Sequence, residues 1–434
     1  MTRFFEWKAE GFALVDVTAV YREGRRLVDE LGCANTLVGL CLPKSARLAV
    51  LMDVVHQSGN AFCWIDPTAD QRLVRNRCTR LRVKLLVAER PLEWPAEWKP
   101  AGGFFVASLP FADDLNAFGP QFTFAISTSG STGEPKSVLV PPTAVNPNVE
   151  DFVDRFELKA TSRVLWSTNL DFDPSILELL VALRVECELF VMPLEFAGKI
   201  WPFERAIMAA RPTFLQLTPA VLSLFSEDFR SLLFGPNSPV RHLLIGGDTF
   251  PSALVRKHAQ ANCPMRVYNL YGVTEVSCWA SCTEFNPHSD EHADASNAIR
   301  GTRLVFGPEG VEIHGRECVV NGERRPFVQT GDQFVRVEED GREKFLITSR
   351  DKINGEVVTR EAEEFVVAES PHVEAARLVV FREQRFLFVQ RVAGSREAVE
   401  LPPDFKIRSV FYVEELPLTT NGKPFQVGSE CLFI

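Results

Sequence analysis

A run of small and hydroxyl-bearing residues is the strongest chemical signal in the sequence. Residues 127–137 read STSGSTGEPKS and directly follow an apolar stretch, residues 122–126 (FTFAI), which predicts a buried strand. Glycines and hydroxyls at the end of a strand can wrap backbone N–H groups and side-chain oxygens around a phosphate chain. The run does not match the P-loop pattern G-x-x-x-x-G-K-[ST], because Pro135 precedes Lys136. We therefore predict phosphate binding here, with a surface linker as the alternative.

A second cluster contains residue types that bind metals. Cys278 and Cys282 are followed by His288 and His292. A zinc finger needs a spacer of about 12 residues between its cysteine and histidine pairs, and only five residues separate Cys282 from His288. We expect a surface loop with scattered polar residues at this place, and no metal site.

The composition limits the classes of function. The chain has 434 residues, 46% hydrophobic and 24% charged, which predicts a globular protein. Lys and Arg number 47 against 57 Asp and Glu, and a net charge of −10 argues against a nucleic-acid partner. No apolar stretch approaches the length of a transmembrane helix. Charged residues interrupt the N-terminal segment, which argues against a signal peptide, and the ten cysteines are dispersed. We expect a cytoplasmic location.

Secondary-structure patterns must position these residues. Apolar runs bounded by turn residues alternate with segments of helical spacing up to about residue 299, which predicts a largely parallel, doubly covered sheet. Short alternating strands come next, and then a small mixed unit that begins near residue 350. The predicted strands are residues 37–42, 84–88, 122–126, 189–192, 243–245, 376–381 and 386–392, and the predicted helices are residues 47–57, 176–183 and 359–368.

The phosphate-binding run also carries a family resemblance. Residues 128–136 satisfy the pattern [ST]-S-G-[ST]-[ST]-G-x-P-K, which resembles the phosphate loop of adenylate-forming enzymes. That family includes acyl-CoA synthetases, luciferases and the adenylation domains of peptide synthetases. Further blocks that resemble family motifs occur in the expected order, namely residues 59–72 (GNAFCWIDPTADQR), 246–248 (GGD), 269–275 (NLYGVTE), 330–332 (TGD) and 416–423 (LPLTTNGK).

The resemblance implies a fold class and a domain division. We expect an α/β protein whose large N-terminal domain, residues 1–349, has mixed αβαβα-type sheets and a β-rich subdomain from about residue 299. A small, mobile C-terminal α+β domain is expected over residues 350–434.

The resemblance also implies a site for ATP and Mg²⁺. Glu275 is the expected Mg²⁺ ligand and Lys423 the expected catalytic lysine, although each alone could be an ordinary surface charge. Tyr271 can offer its ring to a purine and Asp332 can accept hydrogen bonds from ribose hydroxyls, while each alone would be a core or turn residue. The expected phosphate-loop residues are Thr128, Ser129, Gly130, Ser131, Thr132, Gly133 and Lys136. The expected adenine and ribose residues are Gly246, Asn269, Tyr271, Gly272, Asp332 and Arg350.

One block concerns the acid that is activated. Residues 172–178 (FDPSILE) resemble the F-D-x-S-x-x-E block of family members that activate amino acids, which implies that Asp173 binds the substrate amino group. Asp173 could also cap the helix that starts at Pro174, in place of this role or together with it, and Asp171 could compete for the role. Several blocks resemble an animal branch whose members adenylate β-alanine and pass it to a carrier. We therefore expect activation of a small amino acid, with β-alanine favoured, and release of pyrophosphate.

Departures from the family pattern keep alternatives open. The hinge segment around Arg350 is about four residues shorter than in the family, and Val357 stands where an arginine is usual. No L-G-G-x-S carrier motif follows Lys423, so the expected thiol acceptor is a separate carrier pantetheine or CoA. The alternatives are an acyl-CoA synthetase for an acid without an amino group and a catalytically impaired nucleotide-binding remnant.

Overall fold

The computed structural model describes most of the chain up to residue 349 and part of the C-terminal remainder. The described residues are 1–95, 97–110, 121–128, 136–196, 199–339, 341–349, 352–353, 356–357, 366, 370, 372–381, 384–391, 395, 397, 399, 401 and 407–413.

The described elements alternate between strand and helix over the first two thirds of the chain. The strands there are β1 (Arg3–Lys8), β2 (Gly11–Val15), β3 (Leu37–Cys41), β4 (Ala61–Trp64), β5 (Leu85–Ala88), β6 (Lys99–Ala101), β7 (Phe104–Ser108), β8 (Phe124–Thr128), β9 (Lys136–Val140), β10 (Arg163–Trp166), β11 (Glu188–Val191), β12 (Phe214–Leu217), β13 (His242–Gly246), β14 (Arg266–Tyr271) and β15 (Ser281–Phe285). The helices are α1 (Thr18–Leu31), α2 (Ala46–Gln57), α3 (Gln71–Leu81), α4 (Pro142–Arg155), α5 (Pro174–Val185), α6 (Ile200–Ala210), α7 (Pro219–Leu224), α8 (Glu227–Leu233) and α9 (Ser252–His258), with 3₁₀ turns at Leu194–Phe196 and Thr274–Val276.

Strands dominate the rest of the described chain. They are β16 (Arg303–Gly307), β17 (Gly310–His314), β18 (Val319–Val320), β19 (Glu323–Arg324), β20 (Phe327–Gln329), β21 (Gln333–Glu339), β22 (Arg342–Ser349), β23 (Lys352–Ile353), β24 (Glu356–Val357), β25 (Val373–Phe381), β26 (Gln384–Arg391) and β27 (Ile407–Val413).

Two large sheets organise the alternating part of the chain. An eight-stranded sheet has the order β15-β14-β13-β12-β10-β11-β1-β2, with antiparallel strands only at its two edges. A nine-stranded sheet has the order β19-β18-β9-β8-β4-β3-β5-β7-β6, and its parallel centre is β8-β4-β3-β5. Parallel strands need crossover connections, and the helices between them supply these.

Helices cover both faces of both sheets. Helices α2, α4 and α5 lie between the two sheets, where the apolar side chains of both sheets meet them in one buried core. The outer face of the nine-stranded sheet packs on α3, and the outer face of the eight-stranded sheet packs on α6 to α9. The resulting α-β-α-β-α layering confirms the expected fold class of the N-terminal region.

The strand sequences explain why both sheet faces are buried. In β10, Val164 and Trp166 point into the central core, whereas Leu165 points into the outer one. A strand with apolar side chains on both faces reads as a continuous apolar run, as LVGLC in β3 does. Polar caps mark the starts of α2, α3, α7 and α8, and in α2 the Ser45 side chain accepts a hydrogen bond from the Leu48 N–H at 3.2 Å.

The β-rich part is confirmed as well, with one difference in its pairing. The structure contains a β16-β17-β20 sheet, the β21–β22 and β23–β24 hairpins and a β25-β26-β27 sheet. The β18–β19 hairpin, however, joins the nine-stranded sheet through β9, so this part of the expected subdomain completes the first core. The helix expected over residues 359–368 falls almost entirely outside the described residues, and the domain boundary at residues 349 and 350 stays a prediction. No described helix combines the length and apolarity that a membrane crossing requires.

We expect the central helical layer to dominate stability. Leu51 on α2 is fully buried between the sheets, whereas Leu73 on α3 is 60% exposed. Leu51→Ala should lower the free energy of unfolding by about 2–5 kcal/mol, since it removes buried methyl groups and leaves a cavity. Leu73→Ala should change it by no more than about 0.5 kcal/mol. Chemical denaturation measures both, and equal effects of the two substitutions would contradict the layering.

Candidate active site

The carboxyl ends of the two sheets meet at one place. Lys44 follows β3, Lys136 begins β9 and Arg77 lies on α3. Each of these side chains reaches a loop that follows β10 or β14 in the other sheet. Binding sites of open α/β proteins form at such strand ends. The contacts are Lys44 Nζ to the Thr168 carbonyl at 2.7 Å, Lys136 Nζ to Glu275 Oε1 at 3.0 Å, and the ion pair of Arg77 with Asp171.

The run that is predicted to bind phosphate lies between two antiparallel strands in the sequence. Strand β8 ends at Thr128 and β9 begins at Lys136, and these two residues are paired across the hairpin. The predicted residues Ser129, Gly130, Ser131, Thr132 and Gly133 lie outside the described residues. Lys136 donates a hydrogen bond to Glu275, and their side chains are 34% and 18% exposed. The predicted phosphate lysine and the predicted magnesium carboxylate are thus adjacent.

This pair also tests whether the residues fit Mg²⁺. Mg²⁺ bound with a nucleotide is usually held by one or two carboxylates, substrate phosphates and water. Glu275 is partly exposed and already has a cation, the Lys136 ammonium, at its carboxylate. Among the described residues, no group of three or more His, Cys, Asp and Glu side chains forms a metal cluster. Glu275 therefore suits a site with one protein carboxylate.

The neighbouring cysteines differ from the sequence expectation. Cys278 is 5% exposed and Cys282, in β15, is fully buried, so they do not lie on a surface loop. His288 and His292 are exposed, as expected of a loop. Both cysteines belong to the core between the two sheets, where Cys282 is paired with Leu270 of β14.

Tyr271 and Asp332 are joined by a short hydrogen bond. The Tyr271 hydroxyl donates to Asp332 Oδ2 at 2.7 Å, and Thr330 Oγ1 lies 3.1 Å from the same hydroxyl. Tyr271 is 8% exposed and Asp332 is fully buried. The tyrosine therefore orients the carboxylate that we expect to face a ribose, while its own role in stacking on adenine stays a prediction.

Of the remaining adenine and ribose candidates, Asn269 has a structural contact of its own. Asn269 donates from Nδ2 to the Asp294 carbonyl at 2.9 Å, so its side chain holds the segment before β16 against β14. Arg350 lies outside the described residues, as does Lys423.

Gly246 and Gly272 allow a close approach of the chain at residues 277–279. A Cβ on Gly272 would lie 2.0 Å from the Cys278 carbonyl oxygen, and one on Gly246 would lie 2.6 Å from Trp279 Cη2. Ser277 and Cys278 have φ values of 59° and 82°, in the left-handed region that non-glycine residues rarely adopt. The predicted glycines thus make room for a strained turn beside the site.

Buried side chains hold this turn in place. Asn148 on α4 donates from Nδ2 to the Ser277 carbonyl at 2.8 Å and to the Trp279 carbonyl at 3.2 Å. Arg316, only 2% exposed, donates from Nη1 to the same Trp279 carbonyl at 2.9 Å. Strain of this kind persists only where the surroundings fix the backbone, as they do here.

Asp173 is buried at the start of α5. Its side chain is 5% exposed and makes no capping hydrogen bond, so the capping alternative is wrong. Thr274, the residue before Glu275, donates from Oγ1 to Asp173 Oδ1 at 3.1 Å. Asp171 differs, because its carboxylate pairs with Arg77 and is 37% exposed.

The Asp173 carboxylate also affects its neighbours. Burial raises the pKa of the Cys278 thiol well above its usual range, and the negative charge of Asp173 raises it further. Burial and Asp173 act in the same direction on the pKa of Cys318. The buried Arg316 guanidinium lowers the pKa of both thiols, so this cation and the Asp173 carboxylate act on the same two side chains.

A buried polar chain next to Asp173 was not expected from the sequence. Trp279 Nε1 donates to Gln216 Oε1 at 2.9 Å, and Gln216 Nε2 donates to Glu178 Oε1 at 3.3 Å. Gln216 is the one polar residue of β12 (FLQL), and Glu178 is the one acid of α5 (PSILELLVALRV). A polar residue inside an apolar element is the signal that could have identified both.

Comparison with known proteins identifies the family. A family model described as AMP-binding enzyme matches residues 18–305, which hold most of the parallel strands of both large sheets and most of the candidate site. The chain belongs to the AMP-binding enzyme family. This result confirms the resemblance to adenylate-forming enzymes.

The similar curated proteins include a β-alanine-activating relative. The chain is 34% identical over 343 residues to the Beta-alanine-activating enzyme of Mus musculus, covering 69% of this chain and 30% of that protein. It is 28% identical over 460 residues to the Dimodular nonribosomal peptide synthase of Bacillus subtilis (strain 168), covering 92% of this chain and 19% of that protein. The chain thus spans about 30% of the length of the first of these relatives.

Solved structures share the fold of this AMP-binding enzyme. A holo four-domain nonribosomal peptide synthetase, AB3403, bound to AMP and glycine, matches with a TM-score of 0.73 and 19% identity, over 95% of this chain and 34% of that one. The anthranilate CoA ligase AuaEII in complex with anthranoyl-AMP matches with a TM-score of 0.72 and 16% identity, over 98% and 92% of the two chains. Both likenesses support the α/β fold class.

We expect the strained turn to tolerate no side chain at Gly272. Gly272→Ala should lower the free energy of unfolding by about 3 kcal/mol, because the Cβ meets backbone that Asn148 and Arg316 fix. Gly307→Ala is the matched control, since a Cβ there meets nothing within 4 Å. Chemical denaturation compares the two variants, and a Gly272→Ala protein as stable as the control would refute the close approach.

Proposed function

We propose that the chain uses ATP to activate a small amino acid as its acyl adenylate, with release of pyrophosphate. β-Alanine is the favoured acid. A thiol, either the pantetheine of a separate carrier protein or CoA, then attacks the acyl carbon, the bond from that carbon to the phosphate oxygen breaks, and AMP leaves. The observation that carries this proposal is the buried Asp173 carboxylate, hydrogen-bonded to the residue that precedes Glu275.

Asp173 suits recognition of an ammonium group. A buried carboxylate is costly unless a cation or several hydrogen bonds compensate its charge. Its Oδ1 accepts from Thr274, and the neighbouring thiol of Cys278 is neutral. The ammonium of an amino acid bound here would place the substrate close to Glu275 and Lys136, where the phosphates of ATP are expected.

The surroundings of Asp173 favour a small acid. The Trp279 ring packs against Gly246 so closely that even a Cβ on that glycine would overlap it. Trp279 is 6% exposed and is hydrogen-bonded to Gln216, so the ring occupies this side of the site. The 34% identity to a β-alanine-activating enzyme supports the choice of β-alanine among small amino acids.

The reaction needs positioning and charge stabilisation more than covalent catalysis. One oxygen of the substrate carboxylate attacks the α-phosphorus of ATP, the bond from that phosphorus to the bridging oxygen of pyrophosphate breaks, and pyrophosphate leaves with its electron pair. The loop from Thr128 to Lys136 holds the β- and γ-phosphates, with Mg²⁺ on Glu275 neutralising phosphate charge when bound. Lys423 stabilises the charge between the carboxylate and the α-phosphate.

The nucleotide is held by residues at the other side of the site. Tyr271 lies along the adenine, Asp332 accepts hydrogen bonds from the ribose hydroxyls, and Arg350 contacts the ribose and α-phosphate side. The substrates lie between an N-terminal domain, residues 1–349, and a mobile C-terminal domain, residues 350–434. We place the protein in the cytoplasm.

Pyrophosphate exchange tests the function and the role of Asp173. Wild-type protein should exchange labelled pyrophosphate into ATP with β-alanine, and more slowly or not at all with α-amino acids and short fatty acids. Asp173→Ala should lower kcat/KM for β-alanine by about 10²–10³-fold, since it removes a buried charge partner of the ammonium. Asp171→Ala is the matched control and should act far more weakly.

Each other outcome selects an alternative. An equal fall in kcat/KM for β-alanine in Asp173→Ala and Asp171→Ala would mean that neither aspartate alone binds the substrate ammonium. If wild-type protein exchanges pyrophosphate with fatty acids and Asp173→Ala does not lower that rate, an acyl-CoA synthetase for acids without an amino group is favoured. Absence of exchange with any acid would favour a nucleotide-binding remnant.

A second variant tests the proposed catalytic lysine. Lys423→Ala should lower the exchange rate by about 10²–10³-fold, as loss of a preorganised charge donor does. Binding of ATP, measured by calorimetry, should persist, because the phosphate loop and Glu275 are unchanged. Lys257→Ala, at an exposed lysine of α9, serves as the control. Full exchange activity in Lys423→Ala would overturn this role.

A further inference from the structure

Glu178 lies at the centre of a buried hydrogen-bond chain. The residue is fully buried on α5, five positions after Asp173. Its carboxylate accepts from the Thr168 hydroxyl at 2.6 Å, from the Thr168 N–H at 3.2 Å and from Gln216 Nε2 at 3.3 Å. The contacts around this carboxylate are therefore donors, as an ionised acid requires.

A buried cation, the Lys44 ammonium, lies near this carboxylate. Lys44 is 8% exposed, and its ammonium donates to the carbonyl of Thr168. Burial lowers the pKa of Lys44 and raises the pKa of Glu178, and the opposite charge of each partner resists both shifts. Lys44 and Glu178 thus support each other's charge through Thr168, which lies between them.

The donors around Glu178 fix the orientation of the Gln216 amide. The Trp279 indole N–H can only donate, so the atom that receives it at 2.9 Å is Gln216 Oε1. The amide nitrogen must then face the other way, toward the Glu178 carboxylate and the Pro174 carbonyl, which lies 3.5 Å away. An acceptor at Glu178 is what makes this one orientation favourable.

Gln216 therefore spans two walls of the site. At one end its amide nitrogen reaches the backbone of Pro174, the residue after Asp173. At the other end its oxygen holds Trp279, whose ring covers Gly246. Because the Gln216 amide group is rigid, its orientation determines the position of the Trp279 ring relative to Asp173.

We propose that Glu178 is a positioning residue that, through Gln216, holds Trp279 at a set distance from Asp173 and thereby determines the length of amino acid accepted. This inference rests on the proposed function of Asp173 as the ammonium partner. Glu178 itself touches neither substrate nor nucleotide. In Glu178→Gln the single oxygen of the new amide is needed by the Thr168 N–H, which can only donate, so its NH2 group faces Gln216. The Gln216 amide then rotates, Trp279 loses its partner, and a longer amino acid fits.

The test compares two amino acids that differ by one methylene group. Pyrophosphate exchange is measured with β-alanine and with 4-aminobutyrate in wild-type protein and in Glu178→Gln. A pocket that excludes one methylene discriminates by about 10–200-fold in kcat/KM, and we expect the wild type to lie in this range. In Glu178→Gln the ratio should fall to within about threefold, through KM for the amino acid, with the maximal exchange rate and KM for ATP nearly unchanged.

Glu186→Gln is the matched control. Glu186 follows the last turn of the same helix, and its carboxylate, 64% exposed, pairs with the chain's N-terminal ammonium. The same chemical change there should leave the ratio at its wild-type value. A ratio that Glu178→Gln leaves unchanged, or an equal fall in both variants, would overturn the proposal.

A double-mutant cycle separates positioning from a general loss of stability. Trp279→Phe keeps an aromatic ring and removes the indole N–H. If Glu178 acts through that N–H, Glu178→Gln should not change the ratio further in the Trp279→Phe background. Independent, multiplicative effects of the two substitutions would overturn the proposal.

The exchanged pair Glu178→Gln/Gln216→Glu provides a rescue. The carboxylate then at position 216 would accept from both the indole N–H and the amide at position 178, so the Trp279 position and the preference for β-alanine should return. This variant also keeps the test valid if Glu178→Gln alone does not fold, because it retains the charge and composition of the wild type. A folded double variant with no preference would count against the proposal. Loss of all exchange in wild type would instead refute the proposed function.

Discussion

The site depends on one constraint, which is that two mixed sheets with parallel centres share a single layer of helices. Helices α2 and α5 are buried almost throughout and α4 contributes its apolar face, so each sheet must lie against this layer and cannot move away without exposing apolar surface. The carboxyl ends of the strands consequently meet, and the loops that leave them contact each other. The Lys44–Thr168, Arg77–Asp171 and Lys136–Glu275 contacts all occur there.

The same constraint explains how buried charge is tolerated. Glu178 and Lys44 come from different halves of the fold, and neither would be stable in the core without the donors and acceptors that Thr168 supplies. A buried pair of this kind contributes little net stability, yet removal of one partner is costly. In this protein the pair fixes the orientation of a side chain, because Glu178 holds the Gln216 amide with its oxygen toward Trp279.

The sequence by itself determined the family, the alternation of strands and helices, and the order of the functional blocks. These follow from local patterns, since apolar runs such as LVGLC and the run STSGSTGEPKS are readable wherever they fold. Strand ends were predicted to within about three residues. The strand expected over residues 122–126 is β8, Phe124–Thr128, and its pairing with β9 extends it to Thr128. The block resemblance also selected Asp173 over Asp171, although it left helix capping open.

Only the tertiary structure decided which of these residues share a site and what surrounds them. The pairing of Lys136 with Glu275 joins residues 139 positions apart, and that of Tyr271 with Asp332 joins residues 61 apart. The burial of Cys278 and Cys282, the pairing of β18 with β9 and the Glu178–Gln216–Trp279 chain likewise arise from packing between distant elements. The spacing of apolar residues in the sequence indicates whether a segment forms a helix or a strand. The partner of a buried polar group is decided only when the two sheets pack against the helices between them.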